Sequence, residues 1–172
     1  MDSKEIARSI DQLADAVMKQ AEDVQQLRLV GIRRGGVAVA ERLIEAMHRT
    51  QGLSVPIGTV DISLYRDDAA TALPSPKIGP SHVPFGIDGK EVVLVDDVLH
   101  TGRTVRAALE CLLDYGRPRR VWLAVLCDRG QHELPIAADF IGRTLDVPQG
   151  STVKARFDAP PNDAVVLVEG ER

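Results

Sequence analysis

Two adjacent carboxylates, Asp96 and Asp97, follow the aliphatic run Val92-Val93-Leu94-Val95 and lead directly into Val98-Leu99-His100-Thr101-Gly102-Arg103-Thr104. Acids at an open strand end suit a polyol or a magnesium-bound sugar, because hydroxyl groups and hydrated Mg2+ both pair well with anionic oxygens. The loop behind them offers a glycine for close backbone approach, two hydroxyls and the first N–H groups of a helix, a cradle for a phosphate dianion. Side chains alternate across a strand, so Asp96 and Asp97 can serve one ligand only where the strand ends and the chain turns. A second polar turn, Arg33-Arg34-Gly35-Gly36, lies between a short aliphatic run and a helical pattern.

Other chemistries with similar pieces fit less well. A Walker-type loop needs Gly-Lys-Ser or Gly-Lys-Thr, and a dinucleotide fingerprint needs Gly-x-Gly-x-x-Gly after its strand; neither occurs here. Phosphoacceptor receiver domains carry an acid pair near the N-terminus, whereas this pair is central and runs into Thr-Gly-Arg-Thr.

The elements that must position these residues are legible in the apolar pattern. Ile6, Ile10, Leu13, Ala14, Val17 and Ala21 recur at helical spacing, with Asp2 or Ser3 available as N-cap, which predicts a helix over 3–21. Residues 27–32 read as a strand, and Val37, Ala40, Leu43, Ile44 and Met47 as the next helix. A strand over 55–62 must place Pro56 at its start or on an unpaired edge. From 66 to 88 four prolines and two glycines interrupt any apolar period. A break of that length in a compact domain is expected to be a lid. After the acid-bearing strand, Val105, Ala108, Leu109 and Leu112 face a helix inward until Gly116 stops it. The continuous run 121–127 reads as a strand covered on both faces, lying mid-sheet. Residues 128–142 read as irregular, and 152–157 and 164–168 as late strands. Alternating strands and helices imply an α/β fold with a mainly parallel twisted sheet and ligands beyond the C-terminal strand ends, so both polar turns should face one crevice.

Composition bounds the rest. The 172 residues carry a net charge of −4, with 44% hydrophobic and 27% charged residues, a single domain over 1–172 with one sizeable core. No apolar run spans a membrane, and residues 1–5 lack the regions of an export signal, so the expected site is the cytoplasm. The negative charge argues against nonspecific nucleic-acid binding. Cys111 and Cys127 lack the paired spacing of zinc or redox sites and are expected as buried, reduced thiols.

The stretch 92–104 resembles the phosphoribosyl pyrophosphate motif of type I phosphoribosyltransferases, matching in both acids and in the whole Thr-Gly-Arg-Thr ending. Asp61-Ile62-Ser63-Leu64-Tyr65-Arg66-Asp67-Asp68, Gly116-Arg117-Pro118, and Asp128-Arg129-Gly130 with Glu133-Leu134-Pro135-Ile136 are similar to the PyrR-type branch, pyrimidine operon regulators that are also uracil phosphoribosyltransferases. The resemblance runs from about residue 5 to 157 and implies a sheet flanked by helices, a small hood from about 128–157 with the N-terminal region, and a flexible lid over 66–88. It implies a reaction of uracil with phosphoribosyl pyrophosphate (PRPP) giving UMP and pyrophosphate, with Mg2+ carried by the substrate and within reach of Asp96 and Asp97. By the same resemblance Asp96 and Asp97 hold the ribose hydroxyls. Val98, Leu99, His100, Thr101, Gly102, Arg103 and Thr104 form the 5′-phosphate segment, and Arg33, Arg34 and Gly35 receive pyrophosphate through a turn that in the family often contains a cis non-proline peptide. Arg129 flanks uracil under 128–141, Arg66, Lys77 and His82 are lid contacts, and the assembly is a homodimer or higher homo-oligomer.

The chain also departs from that pattern. Relatives show Thr-Arg-Gly where this chain has Arg34-Gly35-Gly36, and His100, read as a solvent-facing variant, replaces a frequent Tyr. Family members bind a messenger leader through basic residues at positions that here hold Asp11, Gln12, Asp15, Gln131, His132 and Ala137. Acids on a phosphate-facing surface add repulsion to lost attraction, so RNA binding is expected to be weak or absent while catalysis is kept. A uridine-nucleotide-sensing RNA regulator, and transfer to another base such as hypoxanthine or guanine, are the alternatives.

Overall fold

A computed structural model describes residues 1–63, 65, 81–158 and 162–168. Three helices, α1 (Ser3–Gln20), α2 (Gly35–Gln51) and α3 (Arg103–Leu113), surround a sheet of β1 (Leu27–Ile32), β2 (Ile57–Val60), β3 (Glu91–Leu99), β4 (Arg120–Asp128) and β5 (Phe140–Thr144). The sheet order is β2-β1-β3-β4-β5 and every neighbouring pair is parallel. A separate antiparallel ribbon pairs β6 (Thr152–Arg156) with β7 (Ala164–Val168).

The middle lengths of β3 and β4 are apolar because both faces of the sheet are covered. Val93 and Val95 of β3 pack with Leu27, Leu29, Ala124 and Leu126 under α1 and α2. Val92 and Leu94 turn the other way, joining Val30, Ile32, Leu123 and Val125 against Val105, Ala108 and Leu112 of α3. Such alternation within an unbroken apolar run is what a parallel sheet clothed on two sides requires. Helix α1 is held at its start by a capping box, in which Asp2 accepts from the Glu5 N–H and Glu5 accepts from the Asp2 N–H. Cys111 and Cys127 are free and buried, and burial pushes the Cys127 thiol up to about 11.

Several expectations need adjusting. Residues 140–144, the first three of them read as part of an irregular segment, form the edge strand β5. Its central Gly142 disguises it: a Cβ there would lie 2.7 Å from the Leu126 carbonyl and 3.2 Å from Leu13 and Ser9, so close approach between strand and α1 demands a residue that breaks the β pattern. Strand β2 is shorter than 55–62; Pro56 precedes it, its carbonyl accepting from Leu29 N, and β2 is the opposite edge. Helix α2 begins at Gly35, two residues ahead of the apolar pattern. Strand β3 does not stop before the acids but runs through them to Leu99.

Candidate active site

The strand order fixes where the site can be. From β1 the chain moves outward to β2, then returns past β1 to β3 and proceeds through β4 to β5, so the direction of winding reverses between β1 and β3. Crossover helices then leave that point on opposite sides of the sheet and open a crevice beyond the strand ends. The turn after β1 is 33–34 and the acids sit at the end of β3.

Pairing explains how β3 exposes its acids without ending. On the β1 side the last matched pair is Gly31 with Val95, after which β1 turns away into α2; on the β4 side pairing continues to Leu99 with Asp128. Asp96 and Asp97 are therefore held by one neighbour and open on the other. The alternation along β3 separates them. Asp97 follows Val93 and Val95 to the α2 side, where a Cβ on Gly35 would lie 2.1 Å from its Oδ2. Asp96 is 5% exposed, and its Oδ1 accepts from the Asp97 N–H at 2.9 Å. Burial, and then the charge of Asp97, push the Asp96 carboxyl well above the usual carboxylate range.

The crevice is a cleft of about 410 Å³ lined by Arg33, Arg34, Gly35, Asp61, Ile62, Ser63, Asp96, Asp97, Val98 and Thr104. Both polar turns thus meet in one place, as expected. The peptide bond between Arg33 and Arg34 is cis. Their side chains are exposed and make no ion pair or side-chain hydrogen bond among the described residues, leaving two cations available to an anion. At the opposite side α3 starts at Arg103 after Gly102, whose φ of +89° no side chain would share comfortably. The first N–H groups of α3 have no partner within the helix, and the macrodipole favours an anion there. Thr104 reaches the cleft, while Thr101 Oγ1 accepts from the Arg103 N–H at 3.3 Å.

The other expected residues fall in several places. Arg129 is 6% exposed and is not among the cleft residues; its Nη1 donates to the Ser151 carbonyl at 2.9 Å and its Nη2 to Gln131 Oε1 at 3.2 Å. It fastens the loop after β4 to the start of β6. His100, read as solvent-facing, is partly buried. Burial, and then the nearby Arg129 charge, hold its pKa below the usual histidine value, with Gln131 also within contact. Val98 lines the cleft and Leu99 is a core residue. Arg66 and Lys77 lie outside the described residues. His82 bridges Thr59 through paired backbone hydrogen bonds of 2.8 Å, and Asp61 N donates to Ser81 Oγ. Asp61 and Ser63 are cleft residues to which sequence reasoning gave no role. The available signal was an Asp-x-Ser turn at a strand end: Asp61 Oδ1 accepts from both the N–H and the hydroxyl of Ser63.

Among the described residues no group of three His, Cys, Asp or Glu side chains could hold a metal ion. Two adjacent acids without a third ligand do fit Mg2+ that arrives on substrate phosphates, because Mg2+ keeps most of its water and needs only one or two carboxylates. No helix among the described residues is long and apolar enough to cross a membrane.

Comparison with known proteins agrees with this geometry. The model of the phosphoribosyl transferase domain matches residues 2–156. The chain belongs to that family. Within the phosphoribosyl transferases, it is 44% identical over 169 residues to a bifunctional protein PyrR of Geobacter sp. strain M21, covering 98% of this chain and 96% of that protein. A bifunctional protein PyrR of Roseiflexus sp. strain RS-1 is 45% identical over 157 residues, covering 91% and 86%. The chain is a PyrR-type phosphoribosyl transferase. Its fold is shared with a hypoxanthine-guanine phosphoribosyltransferase of Bacillus anthracis, at TM-score 0.67 and 19% identity over 85% of this chain and 82% of that one. A hypoxanthine phosphoribosyltransferase of Staphylococcus aureus gives TM-score 0.66 at 20% identity, covering 87% and 77%.

Proposed function

We propose that this PyrR-type phosphoribosyl transferase makes UMP and pyrophosphate from uracil and PRPP, in the cytoplasm and as a homodimer or higher homo-oligomer. The observation that carries the reading is the meeting of three binding elements in one cleft: Arg33 and Arg34, unpaired among the described residues, the Asp96–Asp97 pair, and the N-terminus of α3. The similarity to proteins named bifunctional PyrR supports uracil as the base.

The reaction breaks the bond from the anomeric carbon to pyrophosphate and forms one to the base nitrogen, leaving positive character on the ribose as the bond breaks. No covalent nucleophile is needed, so the protein contributes orientation and charge. The loop 100–104 and α3 hold the 5′-phosphate, and Asp97 receives the ribose hydroxyls from the α2 side. Asp96, buried and raised in pKa, fixes the Asp97 backbone through its own Oδ1. Arg33 and Arg34 take up the charge that leaves with pyrophosphate. Mg2+ bound with the substrate would neutralise part of that charge, and Asp97 is the residue that would hold it.

The RNA-binding partner activity of PyrR relatives is weak or absent in this reading. Gln12, Asp15, Gln131, His132 and Ala137 are exposed, and Asp11 is paired with Arg49, so these positions offer little free positive charge. Transfer assays with labelled PRPP and a panel of bases test the enzyme: UMP formation is expected, and transfer to hypoxanthine or guanine but not uracil would replace the base assignment. A salt-sensitive, sequence-specific, submicromolar complex with its own operon leader would overturn the RNA reading.

A further inference from the structure

The phosphate loop has an outer side as well as an inner one. The Leu99 and Thr101 carbonyls are taken up by the segment that follows β4. Arg129 N donates to the Leu99 carbonyl at 3.1 Å, and Glu133 N and Leu134 N both donate to the Thr101 carbonyl at 3.0 and 3.1 Å. Backbone acceptors near a bound phosphate repel it, whereas backbone donors attract it. Absorbing the acceptors on the far side therefore leaves the near side rich in donors.

One residue grips this loop at two points. The Glu133 N–H holds the Thr101 carbonyl, and its Oε2 accepts from Arg103 Nε and lies near Arg103 Nη2, both at 2.9 Å. Those two contacts flank Gly102, the residue that turns the loop through a left-handed conformation. Leu134 and Ile136 close over the same glycine; a Cβ at 102 would lie 3.4 Å from the Cβ of each.

We propose that Glu133 is a positioning residue for the 5′-phosphate, acting through the Thr101 carbonyl and Arg103, with residues 129–136 as the outer brace of the loop. This rests on the phosphate-loop assignment above but not on the identity of the base. Glu133 is about half exposed, so replacing it leaves the core untouched.

The test is calorimetric titration of ribose 5-phosphate into wild type, Glu133→Gln, Arg103→Gln and the double variant, with steady-state kinetics and thermal midpoints on each. An exposed ion pair contributes at most about 1 kcal/mol, so Glu133→Gln is expected to weaken ribose 5-phosphate about three- to fivefold. The KM for PRPP should rise by the same factor with kcat unchanged, and the thermal midpoint should fall by no more than about 2–4 °C. Because Glu133 acts through Arg103, the double variant should be no weaker than the weaker single one. Ribose 5-phosphate affinity in Glu133→Gln within experimental error of wild type, additive effects in the double variant, or a change in kcat alone would each overturn the proposal. Wild-type protein that fails to bind ribose 5-phosphate would instead remove the phosphate-loop assignment on which it stands.

Discussion

Replacing each of the neighbouring glycines 35 and 36 by alanine should produce opposite phenotypes, because the added methyl meets a side chain in one case and backbone in the other. At 36 the new Cβ would lie 2.2 Å from the Val95 carbonyl oxygen and 2.9 Å from the Asp96 Cα. Neither can rotate aside, so α2 must lift from β3. Overpacking of this kind costs about 1–3 kcal/mol, and the helix gains back up to about 1 kcal/mol when Gly becomes Ala. A net loss of about 1–2 kcal/mol lowers the thermal midpoint by about 2–8 °C in a chain of this size. At 35 the Cβ would lie 2.1 Å from Asp97 Oδ2 and 2.3 Å from its Cγ. The carboxylate can swing to another rotamer for about 1 kcal/mol, and a small backbone adjustment must ease the remaining 2.9 Å approach to the Asp97 Cβ; with the helix gain set against these, the midpoint should fall by less than about 4 °C, less than at 36. The displaced Asp97 no longer meets the ribose, and a misplacement on the order of 1 Å can cost about 100-fold in rate. Differential scanning calorimetry and kcat/KM for PRPP read the two effects separately. A Gly35→Ala enzyme within threefold of wild-type kcat/KM would refute the reasoning, as would a Gly36→Ala protein that melts with wild type.

Three further outcomes follow from the same geometry. Asp96→Asn removes a carboxyl that burial and Asp97 raise above its unfolded pKa; such a group favours the fold below the unfolded value and loses that advantage as pH rises through the folded one. At neutral pH the variant should melt a few °C higher, by about 1 kcal/mol, while turnover falls; an unchanged or lower midpoint would count against it. His100 is held below its ordinary pKa, so its neutral form favours the fold above the unfolded value near 6.5, and that stability is lost as pH falls toward the folded pKa. His100→Gln should therefore lose less midpoint than wild type between pH 7 and 5, and parallel scans would exclude the effect. Arg34→Ala should raise the KM for pyrophosphate in the reverse reaction about tenfold, the loss expected of one charge-assisted contact, with the midpoint within 1–2 °C of wild type; equal KM values would show that the turn does not meet pyrophosphate.

What could be read from the sequence was what repeats or what clusters. The strand 121–127 announced itself because both its faces are buried and every residue is apolar, and 27–32 did so with Arg28 alone breaking the run by a charge. The two polar turns were visible because they interrupt such runs with charges. Strand β5 was hidden by Gly142, whose identity answers to α1 packed across it rather than to β pairing. The extent of β3 was hidden for a different reason: β4 supports the acids as strand after β1 has left, and a one-dimensional pattern carries no record of which neighbour persists. The inward placement of Arg129 depends on the Ser151 carbonyl, twenty-two positions away, and no local signal carries it. Asp61 and Ser63 enter the cleft only because β2 lies beside β1, a fact of sheet order.

The bridge between Thr59 and His82 has a consequence for how freely this protein can be edited. It ties together positions 59 and 82, roughly twenty residues apart in the chain. The entropy of closing such a loop grows only with the logarithm of its length, about 0.6 kcal/mol for each doubling. Halving or doubling the excursion would therefore shift the folding equilibrium by less than many single core substitutions do. Within that span the described positions divide by side: Val60 and Ile62 answer to the core, whereas Asp61 and Ser63 line the cleft and are free to answer to its chemistry.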